Sequence, residues 1–166
     1  MKKHIFIVNG MGGCGKDTFA QFLGEFYPVF KYSSIDRVKQ IAYECGWNGG
    51  KSEKDRKFLS DLKCLLTEYN DLPFTDVENR VNEFLYEEYA RVMLIDIREP
   101  KEIERAKIAY GAKTILIKND RIPFISSNMA DAGVYNYTYD YILENNGTLE
   151  DFRETVRAFA KSIIKE

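Results

Sequence analysis

"VNGMGGCGKDT", residues 8–18, follows a short β-branched and aromatic run, "HIFIV" (4–8), and leads into a segment of helical character from Asp17 to Phe26. Gly10, Gly15 and Lys16 satisfy the pattern G-x-x-x-x-G-K, and a strand before it with a helix after it is the context in which that pattern forms a phosphate-binding loop. Glycines let backbone amides close around phosphate oxygens. The amino terminus of the helix adds partial positive charge, and the lysine can pair with terminal phosphates. Gly10, Met11, Gly12, Gly13, Cys14, Gly15, Lys16, Asp17 and Thr18 are therefore the candidate polyphosphate-binding residues. The alternative is a glycine-rich turn with Asp17 capping the helix and Lys16 on the surface.

Where this pattern normally continues with a hydroxyl that coordinates Mg2+, the chain has Asp17. A carboxylate is also a hard oxygen ligand, best engaged through a metal-bound water because it adds negative charge beside a triphosphate. The same carboxylate would stabilise the start of a helix by about 0.3–1 kcal/mol with no metal at all. Both roles stay open, and Thr18 remains nearby as a hydroxyl donor.

The 166 residues, 45% apolar and 30% charged, suit one soluble domain with a full core. Net charge is −2 with both signs interspersed, so no basic stripe suggests a nucleic acid polymer, and a small ligand is expected instead. Cys14, Cys45 and Cys64 form no CxxC pair, and the sole histidine is the distant His4. Reduced thiols, a cytoplasmic setting and no structural zinc are expected. The apolar run near the amino terminus is too short for a signal peptide or a membrane span.

Further along, Ile35, Val38, Ile41 and Ala42 carry helical spacing behind the candidate caps Ser33 and Ser34. Phe58, Leu62, Leu65, Leu66 and Tyr69 mark a longer helix. Thr75 with Glu78 reads as a capping box, with Val77, Val81, Phe84 and Leu85 as the buried face behind it. The apolar run Val92–Ile97 reads as a central parallel strand. Pro100 opens a helix to about Tyr110 with Gly111 at its end, and "KTILIK" (113–118) is another strand. "YDYIL" (139–143) is the last strand, and Thr148 with Asp151 caps a final helix whose inward stripe is Phe152, Val156, Phe159, Ala160 and Ile163. Such alternation predicts a parallel α/β sandwich with ligands at the carboxyl ends of the strands.

The "GKDT" form of the loop resembles that of phage-type deoxynucleoside monophosphate kinases and animal-type phosphomevalonate kinases. "FKYSSIDRVKQIA", "LIDIREPKEIE" and "DAGVYNYTYDYILENNGTLEDF" resemble, in the same order, further segments of those kinases, so nearly the whole chain is covered. The resemblance implies a P-loop NTPase three-layer sandwich of the nucleoside monophosphate kinase type. It implies a single domain over residues 1–166, with a helical acceptor-site region at about 35–90 and a short lid at about 119–136. ATP with Mg2+ would occupy the loop, and a small phosphorylated acceptor would lie across the crevice.

Several side chains could align and neutralise such substrates. Ser33, Arg37 and Lys39, at the opening of a helix, are candidates for the acceptor phosphate, Arg37 being otherwise a solvated basic residue. Asp96 and Arg98 alternate along an apolar strand and share one side of it. Asp96 could order Mg2+ through water and Arg98 could grip phosphoryl oxygens, the alternative being a salt bridge at a strand end. Arg121 falls where the resembling kinases carry a lid, and an arginine over transferring phosphate can be worth about 10³–10⁵ in rate. That segment carries one basic residue, fewer than arginine-rich lids. "ENNGT" (144–148), with Asn146, would lie near the adenine or be a plain turn. Arg56 and Lys63 fit best on a solvated helix face. Trp47 and the tyrosines read as core more than as stacking surfaces. His4 is a poor general base, and transfer between phosphates needs little acid-base work.

The function expected is a kinase moving the γ-phosphoryl of Mg·ATP to a phosphorylated acceptor, a nucleoside or deoxynucleoside monophosphate first among them. Phosphomevalonate and dephospho-coenzyme A are the rival acceptors, and a nucleotide-binding regulatory module without turnover is the rival class. A GTPase switch lacks support, since neither N-K-x-D nor a D-x-x-G after the third strand is present.

Overall fold

In the computed structural model, which describes residues 2–122 and 133–164, "HIFIVN" is strand β1 (His4–Asn9) and helix α1 (Lys16–Leu23) follows it. Then come β2 (Val29–Ser33), α2 (Asp36–Glu44), α3 (Glu53–Asn70), α4 (Leu72–Tyr86), β3 (Val92–Asp96), α5 (Pro100–Tyr110) and β4 (Lys113–Lys118). A 3-10 turn at Val134–Asn136 leads to β5 (Tyr141–Glu144) and α6 (Leu149–Ile164). The five strands stand in the order β2-β3-β1-β4-β5. β1 runs parallel to both neighbours, with Val8 opposite Asp96 and Asn9 opposite Leu116, and β4 runs parallel to β5.

The order explains the composition of the strands. β1 and β3 have neighbours on both sides and helices over the sheet, so nearly every position is buried and the runs are apolar rather than alternating. Phe6 and Val8 enter a core with Phe19, Phe22 and Leu23 of α1 and Phe152, Val156 and Phe159 of α6. Phe159 makes edge contacts with Phe6 and Tyr141 at centroid distances of 5.4 and 5.2 Å. Burying each such side chain stabilises the fold by about 1.5–3 kcal/mol. α5 packs against β1 and β4 through Ile103 and Ala106. The result is helices, parallel sheet and helices, as the resemblance implied.

By their internal contacts, Met1–Lys31 with Glu87–Glu166 form one compact unit and Tyr32–Tyr86 another. The first contains the glycine loop and most of the sheet. Within it, α1 ends at Leu23 rather than Phe26, because Gly24 caps it and Glu25 and Phe26 turn back onto Phe22 and Leu23. The last strand is Tyr141–Glu144 and not 139–143, since Tyr139 and Asp140 are already engaged before pairing begins. The box at the start of α6 forms: the Thr148 amide donates to Asp151 Oδ2 at 2.8 Å, and the Asp151 amide donates to Thr148 Oγ1 at 3.1 Å.

In the second unit α2, α3 and α4 pack on one another. Neither Ser33 nor Ser34 caps α2. Ile35 holds that position, and Asp36 reaches back to accept from the Ser33 amide at 3.0 Å. The expected box at Thr75 is also absent, for α4 starts a turn earlier: Asp71 takes a left-handed conformation (φ 56°), Pro73 suits the first turn, and the Thr75 amide is already bonded to Asp71 O. The box in this unit joins Ser52 and Asp55 at the start of α3. Val77, Val81 and Phe84 are buried as expected, whereas Leu85 is 50% exposed. Lys63 is buried rather than solvated, and Phe58, Leu65 and Tyr69 are exposed.

Ahead of β5, Asp140 Oδ2 accepts from the Thr114 amide at 2.7 Å and the Thr114 hydroxyl at 2.9 Å, with Lys107 Nζ at 3.6 Å. Burial works against its charge, but these hydrogen bonds and Lys107 outweigh burial and hold its pKa below the ordinary 3.8. A depressed folded pKa means that the stabilisation is complete above the unfolded value and is lost as pH falls through the folded one. Asp140→Asn is thus expected to lower the urea midpoint at pH 7 and to differ less from the native chain at about pH 3. Equal gaps at both pH values would show that the carboxylate charge is not what stabilises this junction.

Candidate functional site

β1 ends at Asn9, and the chain must turn sharply before α1 begins at Lys16. Three loop glycines take positive φ: Gly10 (151°), Gly13 (81°) and Gly15 (108°). Side chains rarely adopt these values, so the glycines follow from the shape of the turn. Met11 and Cys14 are buried beneath the loop, while Gly12 and Gly13 are exposed. The Cys14 amide closes a turn onto Met11 O at 3.2 Å, and Gly15 occupies the cap position of α1. Lys16 Nζ lies over the loop, donating to Gly10 O at 2.7 Å and Met11 O at 3.0 Å. Burial pushes the Cys14 thiol pKa up, and the positive charges of Lys16 and Arg98 pull it partly back.

Asp17 and Asp96 are brought together by a residue that the sequence did not single out. Asp17, in the first turn of α1, has a 96% exposed side chain, and Asp96 ends β3 with 21% exposure. Lys31 Nζ on β2 pairs closely with Asp17 Oδ1 and lies 3.6 Å from Asp96 Oδ2. Burial disfavours the charge on Lys31, but the hydrogen bond to Asp17 and the attraction of both carboxylates outweigh it, so its pKa is raised. Burial raises the Asp96 pKa despite the opposing pull of Lys31 and Lys16.

Arg98 does not share the strand with Asp96, because β3 ends at Asp96. Its carbonyl accepts from Asn9 Nδ2 at 3.2 Å; Nδ2 also donates to Tyr139 OH at 2.8 Å, and Asn9 Oδ1 accepts from the Gly10 amide at 2.8 Å. Asn9, 1% exposed, thus ties the loop's first residue to the ends of two other segments. Its signal was a polar residue ending an apolar strand.

Arg121 lies in a compact knot. Its guanidinium donates to Asn145 O at 3.2 Å and to Asn119 Oδ1 at 3.4 Å. Asn146 bonds Asp120 twice, accepting from its amide and donating to its carboxylate, both at 2.8 Å. The neighbour Asn145, not Asn146, reaches the glycine loop, donating from Nδ2 to Cys14 O at 2.9 Å. Of the expected lid, residues 123–132 lie outside the described residues.

In the other unit, Arg37 Nη1 donates to Gln40 Oε1 at 3.0 Å and Lys39 lies 3.9 Å from Asp36. Tyr32 OH donates to Asp76, and Arg80 lies over the Tyr32 ring at 5.3 Å while pairing with Glu83 at 2.8 Å. Burial, then Asp76, pushes the Tyr32 phenol up to about 12.

Asp17 and Asp96 offer two hard oxygens of the kind Mg2+ takes, both paired to Lys31, and among the described residues no third carboxylate, histidine or cysteine joins them in a metal-binding group. The glycine cradle with Lys16 fits a polyphosphate.

Strand order, loop and helix together give a parallel α/β sandwich with the fold seen in P-loop nucleotide kinases. Solved structures agree on the fold. The chain is similar to the dephospho-CoA kinase from Campylobacter jejuni, at 16% identity over 97% of each chain with a TM-score of 0.56. It is similar also to the tunicamycin resistance protein of Deinococcus radiodurans, at 13% identity over 95% of this chain and 96% of that one, with a TM-score of 0.52. No protein family and no curated protein matches the chain in sequence.

Proposed function

We propose that the chain is a kinase transferring the γ-phosphoryl of Mg·ATP to a small phosphorylated acceptor, foremost a nucleoside or deoxynucleoside monophosphate. The observation that carries this reading is the loop itself: three glycines at positive φ between β1 and α1, with the Lys16 ammonium held over its mouth. Gly10–Gly15 amides, Lys16 and Thr18 hold the polyphosphate, and Asn146, locked to Asp120, shapes the turn beside the adenine. Asp17 and Asp96 would hold Mg2+, directly or through water. Mg2+ held there would supply neutralisation of the phosphate charge. Arg98 and Arg121 are proposed to stabilise the transferring phosphoryl group, and Ser33, Arg37 and Lys39 to bind the acceptor phosphate. Catalysis then consists of positioning and electrostatic stabilisation, with no side chain required as a strong base. A cytoplasmic setting belongs to the same proposal; no helix among the described residues is long and apolar enough to cross a membrane.

The test is ADP release from Mg·ATP across ribo- and deoxyribonucleoside monophosphates, phosphomevalonate and dephospho-coenzyme A. Release that depends on one monophosphate is the expected outcome and names the acceptor. Dependence on one of the other two compounds would move the substrate class. ATP binding with no acceptor-dependent release would overturn the kinase in favour of a regulatory nucleotide-binding module.

A further inference from the structure

The sequence departs from an ordinary phosphate loop at Asp17, and the structure answers that departure with Lys31. A hydroxyl at position 17 would offer an ammonium a neutral acceptor only; a carboxylate offers a full negative charge, and Lys31 pairs with it from the middle of β2. An exposed pair of this kind contributes little to stability by itself, about 0–1 kcal/mol, and Asp17 is 96% exposed. Yet the same ammonium also reaches Asp96, whose side chain is mostly buried. One cation therefore spans the two carboxylates that fit a metal.

We propose, resting on the reading of this site as one for Mg·nucleotide, that Lys31 is an exchangeable counter-ion: it holds Asp17 and Asp96 while no nucleotide is bound and makes tight binding of a divalent cation depend on nucleotide. Two carboxylates and the Lys31 ammonium leave a single negative charge, which Lys16, also attracting Asp96, offsets in part, so the site is a poor attraction for a bare divalent ion in water. A divalent cation cannot share the space between the carboxylates with the ammonium, because like charges a few ångströms apart repel strongly outside bulk water. Phosphate oxygens change the balance, since they ligate the cation and give the displaced ammonium a new anionic neighbour. The lysine thus disfavours bare cations at a site whose productive ligand is the metal-nucleotide complex.

The test uses Mn2+ as the probe, its free concentration followed by electron paramagnetic resonance with the full chain and no nucleotide. Lys31→Met is expected to bind Mn2+ about tenfold or more tightly than the native chain, because a repelling charge has been removed beside two hard ligands. Lys31→Arg, which keeps the charge, should stay near the native affinity, and Lys31→Met with Asp96→Asn should lose the gain. Thermal melts of each variant separate a change in the site from a change in folding. Unchanged or weaker Mn2+ binding in folded Lys31→Met would overturn the proposal, as would a gain that survives Asp96→Asn. The kinase reading is judged separately by acceptor-dependent ADP release from the native chain, so its failure cannot be mistaken for failure of the counter-ion.

Discussion

Lys16→Ala is expected to lower acceptor-dependent ADP release by about a hundredfold or more, the scale seen when one preorganised donor to developing charge is removed. The Lys16 ammonium is held over the loop by the loop's own carbonyls, Gly10 O and Met11 O. In proposed turnover it follows the terminal phosphates, where charge shifts as the phosphoryl group moves. Its loss should lower kcat more than it raises KM, because an interaction that strengthens in the transition state is being removed. Stability should barely change. Lys16 is only half-buried at the first position of α1, and alanine is a good helix former, so a shift within about 0.5 kcal/mol is expected. The check is a pair of measurements: steady-state kinetics with the acceptor found in the panel, and a thermal melt. Activity within tenfold of the native chain, with an unchanged melt, would remove Lys16 from the chemistry and leave the glycine loop as a turn.

The loop and the elements around it could be read in the sequence because their signals are local. A glycine that must take positive φ, a lysine one residue after Gly15, and Pro100 and Gly111 bracketing a helix are each set by backbone geometry within a few residues. The boundaries at Pro100–Tyr110 and Lys113–Lys118 agree with expectation for that reason. Local signals misled where two of them competed. Thr75 and Glu78 have the spacing of a capping box, but the left-handed turn at Asp71 and the proline at 73 start α4 a turn earlier, and a hydroxyl inside a helix no longer caps anything.

Lys31 was hidden for a different reason. It lies 14 residues from Asp17 and far from Asp96 in sequence, and they meet only because β2 is placed beside β3 rather than beside β1. No periodicity encodes that neighbourhood. The same holds for Asn145, whose amide meets the carbonyl of Cys14 across 131 positions of sequence. In both cases the side chain was visible and its partner was not, so the candidate residues were legible as types of chemistry while the contacts that orient them were not.

Gly10→Ala is expected to destabilise the chain by about 2–5 kcal/mol, combining backbone strain with overpacking. Gly10 has φ 151°, and a Cβ there would stand 2.5 Å from Cys14 Sγ and 2.5 Å from the carbonyl oxygen of Ile117. The thiol can rotate. The carbonyl belongs to β4, which is paired to β1 on one side and β5 on the other, so it cannot retreat without disturbing two ladders. Gly12 supplies the internal control, for its φ is not in the left-handed range and nothing lies within 4 Å of an added Cβ. Gly12→Ala should keep native stability or gain about 0.4–1 kcal/mol from a stiffer unfolded chain. Urea unfolding of both variants checks the contrast. A Gly10→Ala midpoint equal to that of Gly12→Ala would mean that β4 does not fix the height of the loop, and the loop's shape would then need another cause. If the contrast holds, any loss of nucleotide binding in Gly12→Ala acts at the mouth of the loop and not through unfolding, which separates the glycines the fold requires from those a phosphate requires.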